Sequence, residues 1–468
     1  MASSAPRQLP LALVCAVLAW GTQVAAQEAP VVEDGPAEPA GDIAEAAPPD
    51  ALSSPANPAE LPAVGVEVAG GNGLTVGPDG SSRLHFTLDT AAGFDTNPYS
   101  LSLQDGRFGS DMVVRLRPGV NLDHTGRALG FTGNAMVDYG FLPGLLNGET
   151  QQLLLYQSLL VGDLEMNRGG ALRFAVGDTF SWNADPGAAS LGIIFNRLKN
   201  QLRVGGGVKP GGGALDFKLG YSFDFVKYLD VQQSGGAIAA GDLDNMLHTL
   251  TFRSDYRFLP RTGFFVLASG GWSSYPLARA DGTVNPQAFP LTAAIGLQGQ
   301  LRAKLAGLLS VGYANPFIVD ANGDIVTGDL VGVIGQAEIQ WTPSPVTRVG
   351  GGLQRSFAPV PLYQFIGTNR VYGTANQLLG RLSLTLSAGY SLLEFGQEVQ
   401  PLSTQPVGRI DGHLDAAAAL TYSVTDWLSL GITDKLEWRA TNADELAPAA
   451  KNYGFIRNQT FLLASFAY

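Results

Sequence analysis

Cysteine is almost missing from this sequence: Cys15 is the single thiol among 468 residues. It stands inside a short apolar stretch near the N-terminus, after Val14, where a lipoprotein signal would need a small residue and more apolar chain upstream. Disulfides, cysteine-ligated metals and cysteine nucleophiles are excluded once that stretch is cleaved. Charge is scarce as well, at 15% of residues against roughly 25% in an ordinary soluble domain. No Lys or Arg occurs between Arg7 and Arg83. Beyond Trp20 there is no apolar run long enough for a membrane-spanning helix.

What the sequence does hold is glycine (59 residues) and a hydrophobic fraction of 45%. Much Gly with little charge and no long apolar run suggests β-structure that meets lipid on one face only. Length alone allows two or three soluble domains or one large β-barrel.

Residues 1–26 read as a cleaved export signal. Arg7 gives the positive start, Leu9–Trp20 the apolar core, and Val24–Ala26 the small residues before a cut at Gln27. Residues 27–80 form an Ala/Pro-rich acidic leader, with ten carboxylates from Glu28 to Asp79. Such a segment buries too little apolar surface to offset the entropy of ordering, so a disordered periplasmic spacer is expected. The leader also accounts for most of the formal net charge of −12. The remainder, 81–468, is nearly balanced and carries no basic footprint for nucleic acid.

From Arg83 onward, segments of ten or more residues alternate apolar with polar or small side chains. In "ALDFKLGYSFDFV", Leu215, Phe217, Leu219, Tyr221, Phe223 and Phe225 oppose Asp216, Lys218, Gly220, Ser222 and Asp224. Period-2 alternation puts these sets on opposite faces of a sheet. The same grammar recurs in "RLHFTLDTAAGF", "RLSLTLSAGYSLL" and "RIDGHLDAAAALTY". Strands this long match transmembrane β-strands rather than the shorter strands of a sandwich. In a bilayer every backbone polar group must be paired, so the sheet has to close. The expected fold is all-β, an antiparallel up-and-down barrel of about eighteen strands in the outer membrane.

Short turns are expected at Asp123–Arg127, Lys209–Gly213, Leu259–Thr262, Thr342–Val346 and Val424–Trp427. Long loops are expected at Asp95–Phe108, Ser181–Asn200, Lys227–Asp242, Pro276–Phe289, Pro316–Asp329, Ala358–Asn369, Glu394–Val407 and Thr441–Tyr453. The alternation of short and long places both ends of the barrel on the periplasmic side. Trp182, Trp272, Tyr275, Trp341, Trp427 and Trp438 suit interfacial girdles. The closing stretch "NQTFLLASFAY" alternates to the last residue. It resembles the C-terminal assembly signal of bacterial outer-membrane proteins, with Phe466 and Tyr468 as its aromatics. That likeness implies membrane lipid and the barrel-assembly machinery as partners.

The polar face carries both signs of charge. Candidate lumen residues are Asp89, Arg115, Arg117, Arg173, Arg203, Asp216, Lys218, Arg253, Arg355, Arg409, Asp411 and Lys435. Asp138, Asp178, Asp255, Asp415, Glu437, Arg439 and Arg457 join them on the same reading. A mixed lumen suits a hydrated passage and argues against a hydrocarbon conduit. Catalytic motifs are missing: none of the four His lies in an HExxH or nucleophile-elbow context. His85 and His413 have carboxylates nearby, which reads as a charged network in the wall. "DANGD" (Asp320–Asp324) begins like a calcium loop, but Ile325 and Val331 stand where Gly and Glu are needed. No cofactor, metal or enzymatic activity is expected.

At the end of the first strand stands "GFDTNPYS", Gly93–Ser100. Its aromatic–Asp–x–Asn step (Asp95, Asn97), with the barrel length and "RFAVGDTF" (Arg173–Phe180), resembles the outer-membrane porins associated with exopolysaccharide operons. That resemblance implies a conduit for polysaccharide export, with a separate periplasmic partner docking near the leader. Two other readings stand beside it, a general diffusion porin and a structural barrel. Asp95 and Asn97 also suit plain capping of a strand before Pro98.

Overall fold

The structure, a computed structural model, describes residues 74–76, 82–97, 109–126, 128–144, 152–168, 170–185, 194–232, 244–275, 287–319, 325, 332–360, 363–396, 408–442 and 454–468. The signal and leader expected over 1–80 lie outside the described residues, apart from a three-residue strand, Leu74–Val76, which pairs with the first barrel strand. The calcium-like stretch at 320–324 lies outside them too.

Eighteen long strands make the barrel: β1 Ser82–Asp95, β2 Asp111–Thr125, β3 Leu129–Leu142, β4 Gln152–Met166, β5 Leu172–Asp185, β6 Ile194–Val208, β7 Leu215–Gln232, β8 Asn245–Leu259 and β9 Thr262–Ser274. The second half is β10 Leu291–Arg302, β11 Leu305–Asn315, β12 Gly332–Ser344, β13 Thr347–Val360, β14 Tyr363–Leu379, β15 Leu382–Phe395, β16 Ile410–Ser423, β17 Leu428–Thr441 and β18 Phe455–Ala467. Each pairs antiparallel with its neighbours in sequence. Two-residue strands at Gln287–Ala288 and Ile318–Val319 extend the sheet between the β9–β10 and β11–β12 connections.

Closure is made by β1 on β18, in register from Thr87↔Ala467 to Asp95↔Gln459. Phe86 and Tyr468 then exchange both backbone hydrogen bonds, at 3.0 and 2.9 Å. The last residue therefore forms the lowest rung of the seam. Eighteen strands spaced by about 4.8 Å and tilted by about 40° give a backbone diameter of about 36 Å, the width at which a barrel can hold an aqueous interior.

The alternation fixes the faces. On β1, Phe86, Leu88 and Phe94 are exposed outward while Asp95 is buried inward. On β7, Leu219 and Tyr221 are exposed and Asp216 and Asp224 buried. Trp272, Trp341 and Trp427 are also exposed outward, and Trp427 stacks near Phe466 at 6.3 Å.

Turns on the periplasmic side are tight. Between β14 and β15 only Gly380 and Arg381 intervene, and Gly380 takes a φ of 62° that a side chain resists. Three of the expected long loops shrink. β5 continues to Asp185, β6 starts at Ile194, and β7 reaches Gln232. The loop expected at Ala358–Asn369 is instead a hairpin: Ala358 pairs with Ile366 and Val360 with Tyr363. Pro359 reads as a breaker, yet it sits where the register shifts between Ala358 and Val360, a place that needs no amide donor.

Candidate functional site: the inner wall of the barrel

The inner wall is a ladder of ion pairs, some within one strand and others between strands one or two places apart. Arg115 and Arg117 on β2 both reach Asp138 on β3, Arg117 Nη2 at 2.9 Å, and Asp138 is fully buried. Arg173 on β5 donates to both oxygens of Asp216 on β7, at 2.7 and 2.8 Å. Lys209 and Lys218 stand 3.6 and 4.0 Å from the same carboxylate. Arg203 on β6 meets Asp163 on β4 at 2.9 Å. Arg253 pairs with Asp255 at 2.8 Å, donates to Gln298 Oε1 at 3.0 Å, and lies over the Phe265 ring at 4.5 Å. Asp89 faces inward on β1 and makes no ion pair among the described residues.

The ladder is densest from β14 to β18. Arg409 is fully buried, pairs with Asp411 at 2.7 Å and lies over Phe395 at 4.5 Å. Arg439 on β17 also donates to Asp411. Lys435 meets Glu437 at 2.6 Å, and Arg370 meets Asp415 at 3.1 Å. Beside them Ser391, His413 and Asp415 form a small polar niche. Ser391 faces His413 across the strands, and His413 Nδ1 is 3.9 Å from Asp415 Oδ1. Ser391 Oγ, His413 Nδ1 and Asp415 Oδ1 are buried and make no hydrogen bond among the described residues.

At the seam, Arg457 on β18 donates from Nε and Nη2 to Asp95 on β1, the shortest bond being 2.6 Å. Gln459 adds a donor at 2.8 Å, and the Asn97 backbone N–H donates to Asp95 Oδ1 at 2.9 Å. The Asn97 side chain donates to the carbonyl of Ile456 at 3.4 Å. The Asp–x–Asn motif thus ties the first strand to the last across the closing seam.

Arg355 is a correction. It shares the outward face of β13 with Leu353, since Gly335 and Ala337 opposite them alternate with inward Gln336 and Glu338. There it pairs with Glu394 at 3.4 Å and bonds Asn369, so its charge is met by strand neighbours outside the lumen. Asp178 also points outward, with Phe174, Val176 and Phe180 on its own strand.

The wall also has features the sequence did not disclose. Val113, Leu142 and Phe461 form a buried apolar cluster on the inner side, with Tyr156 and Leu463 packed against it. Tyr156 occupies a bulge, where the register shifts from Asp138↔Gln157 to Tyr139↔Leu155. Arg115 sits 5.0 Å from its ring centre and 6.0 Å from that of Phe461. Among the described residues no group of three or more His, Cys, Asp or Glu is placed to hold a metal ion.

A closed antiparallel barrel with an apolar outer band and a charged inner wall is an outer-membrane β-barrel. The chain matches the family described as "Putative beta-barrel porin 2" over residues 84–452, and it belongs to that family. No curated protein matches its sequence. Among solved structures it is similar to OccAB3 of Acinetobacter baumannii, with 12% identity, a TM-score of 0.42, and 83% of this chain and 99% of that one covered. The outer membrane channel DcaP of the same organism gives 13% identity, a TM-score of 0.37, and 85% and 99% coverage. The siderophore receptor PirA of Pseudomonas aeruginosa gives 8% identity, a TM-score of 0.40, and 82% and 80% coverage.

Proposed function

We propose that this protein is a passive channel for small polar solutes across the outer membrane. The observation that carries this reading is the inner wall itself: cations and anions paired within and between the strands of a closed sheet. Such a wall offers many weak polar contacts to a hydrated solute. The paired charges hold one another in place, so a passing ion meets a weak net field, and selectivity should be low. The partly exposed cations of the inner wall, Arg117, Arg203, Lys218 and Lys435, offer donor groups to a hydroxylated solute and serve as contact points on the way through.

Planar-bilayer recording of the purified protein tests this. Ohmic conductance with a small reversal potential under a salt gradient is expected. Liposomes carrying the protein should swell in neutral sugars below a size limit. A protein that inserts and folds but conducts at no voltage would refute the channel reading.

Export of a polysaccharide is the narrower alternative. Its motif residues, Asp95 and Asn97, are engaged in the seam, which leaves the mixed lumen as its support. A deletion strain decides between them. Loss of surface polymer with periplasmic retention, restored by the intact gene, supports export with a periplasmic partner; unchanged polymer leaves the diffusion channel.

A further inference from the structure

Two mid-strand carboxylates with no cation beside them among the described residues face the wrong solvent. Asp178 is the seventh of fourteen residues on β5, and Asp434 the seventh of fourteen on β17. Both are exposed on the outer, lipid-facing side. Asp434 is flanked along that face by Ile432 and Leu436, and Asp178 by Val176 and Phe180. On each strand an outward Trp follows four residues later, Trp182 and Trp438, marking the outer interface. About ten residues of tilted strand cross the hydrocarbon. Both carboxylates therefore lie within it, at matching depth.

Each has a local partner of the same kind on the next strand. Asp178 accepts from Asn200 Nδ2 at 3.0 Å. Asp434 accepts from Asn458 Nδ2 at 3.2 Å and from Thr460 Oγ1 at 2.6 Å. An amide NH₂ has two hydrogens and a carboxylate about four acceptor sites, so each patch has capacity for further hydrogen bonds beyond those to its strand neighbours. Acyl chains cannot meet that capacity.

We infer that these two patches are the surfaces through which copies of this chain pack against one another in the membrane. The occupant must be embedded in the bilayer and must offer a donor and an acceptor at mid-depth. A second copy does both: any two copies in one bilayer stand at the same height, and the patches carry the same Asp–Asn chemistry. In the contact, the remaining amide hydrogen of one copy's Asn is donated to the other copy's Asp. The patches lie six strands apart on an eighteen-strand barrel, so each copy can hold a neighbour on two sides and the assembly closes into a ring.

The test uses the full chain with Cys15 replaced by Ser, expressed in outer membranes. Leu462→Cys and Val176→Cys are placed together, since both side chains are exposed on the outer face beside the patches. Disulfide ladders between copies are expected in the membrane, and light scattering in mild detergent should give a mass above one copy. Asp434→Leu or Asp178→Leu should abolish the ladder and return the mass to a monomer, while Asp434→Asn should keep both. These leucine variants suit lipid better than the carboxylates do, so heat-dependent gel mobility should report a folded barrel throughout. A monomeric mass together with no ladder from the double-cysteine variant would overturn the inference. So would an oligomer untouched by either leucine substitution; lipid alone would then cover the patches.

Discussion

Removing the carboxylate of Asp95 probes whether the Asp–x–Asn motif seals the barrel or serves what passes through it. Asp95 is 1% exposed and Arg457 6%, and the carboxylate takes donors from Arg457, Gln459 and the Asn97 backbone. Asp95→Ala leaves a buried guanidinium whose remaining anion, Glu437, is 4.0 Å away. Breaking one side of a buried pair costs about 3–5 kcal/mol. With a urea slope of about 2 kcal/mol per M, the unfolding midpoint should fall by about 2 M. Tryptophan fluorescence during urea unfolding in lipid vesicles reads this directly. The double variant Asp95→Ala with Arg457→Ala removes both charges and should recover much of the loss, giving a coupling of about 2–3 kcal/mol. A single variant within about 0.5 kcal/mol of the parent, an ordinary surface-substitution effect, would refute the seam argument. Conductance changed without stability changed would point to a role in transport instead.

The remaining predictions follow from single contacts. Gly93→Ala places a Cβ 2.0 Å from the carbonyl oxygen of Thr460 on the closing strand; the backbone must give way, and the folded, heat-modifiable fraction on a gel should drop sharply. Gly140→Ala meets the Tyr156 ring at 1.8 Å, so the ring must leave its bulge; a loss of about 1–3 kcal/mol is expected from the overpacking, read by urea unfolding. Asp138→Asn strips the shared anion from Arg115 and Arg117; the reversal potential under a salt gradient should move toward anion selectivity, and an unmoved potential would mean these groups stand apart from the ion path.

How far the sequence discloses this barrel depends on which physical signal is followed. Period-2 alternation is local and reads well: Phe217, Leu219 and Tyr221 face outward, as their spacing requires. Polarity taken alone misleads. Asp178 shares the parity of Phe174, Val176 and Phe180, and Arg355 that of Leu353, so spacing puts both outside. Assigning them to the lumen because they are charged overrides the stronger signal. Their partners, Asn200 and Glu394, lie on neighbouring strands, and pairing across strands is a register property that no single segment contains. The inward Phe461 and Val113 fail in the opposite sense, because β18 and β2 come together on either side of Gly93 in β1 only through closure.

The same distinction explains why the motif is a poor guide to cargo. Asp95 and Asn97 form a short conspicuous pattern, and such patterns invite a functional reading. Yet a barrel has one seam joining residues far apart in sequence, and nothing local specifies it. Arg457 is 362 positions from Asp95 and finds it only when seventeen intervening hairpin and loop connections are in register. A buried bidentate pair there rewards one register and penalises a slip by leaving two charges unpaired. A polar motif at the end of the first strand is therefore required by closure before any solute is considered. Transport specificity should instead reside in wall groups that closure does not use, with the partly exposed Arg203, Lys218 and Lys435 the first place to look.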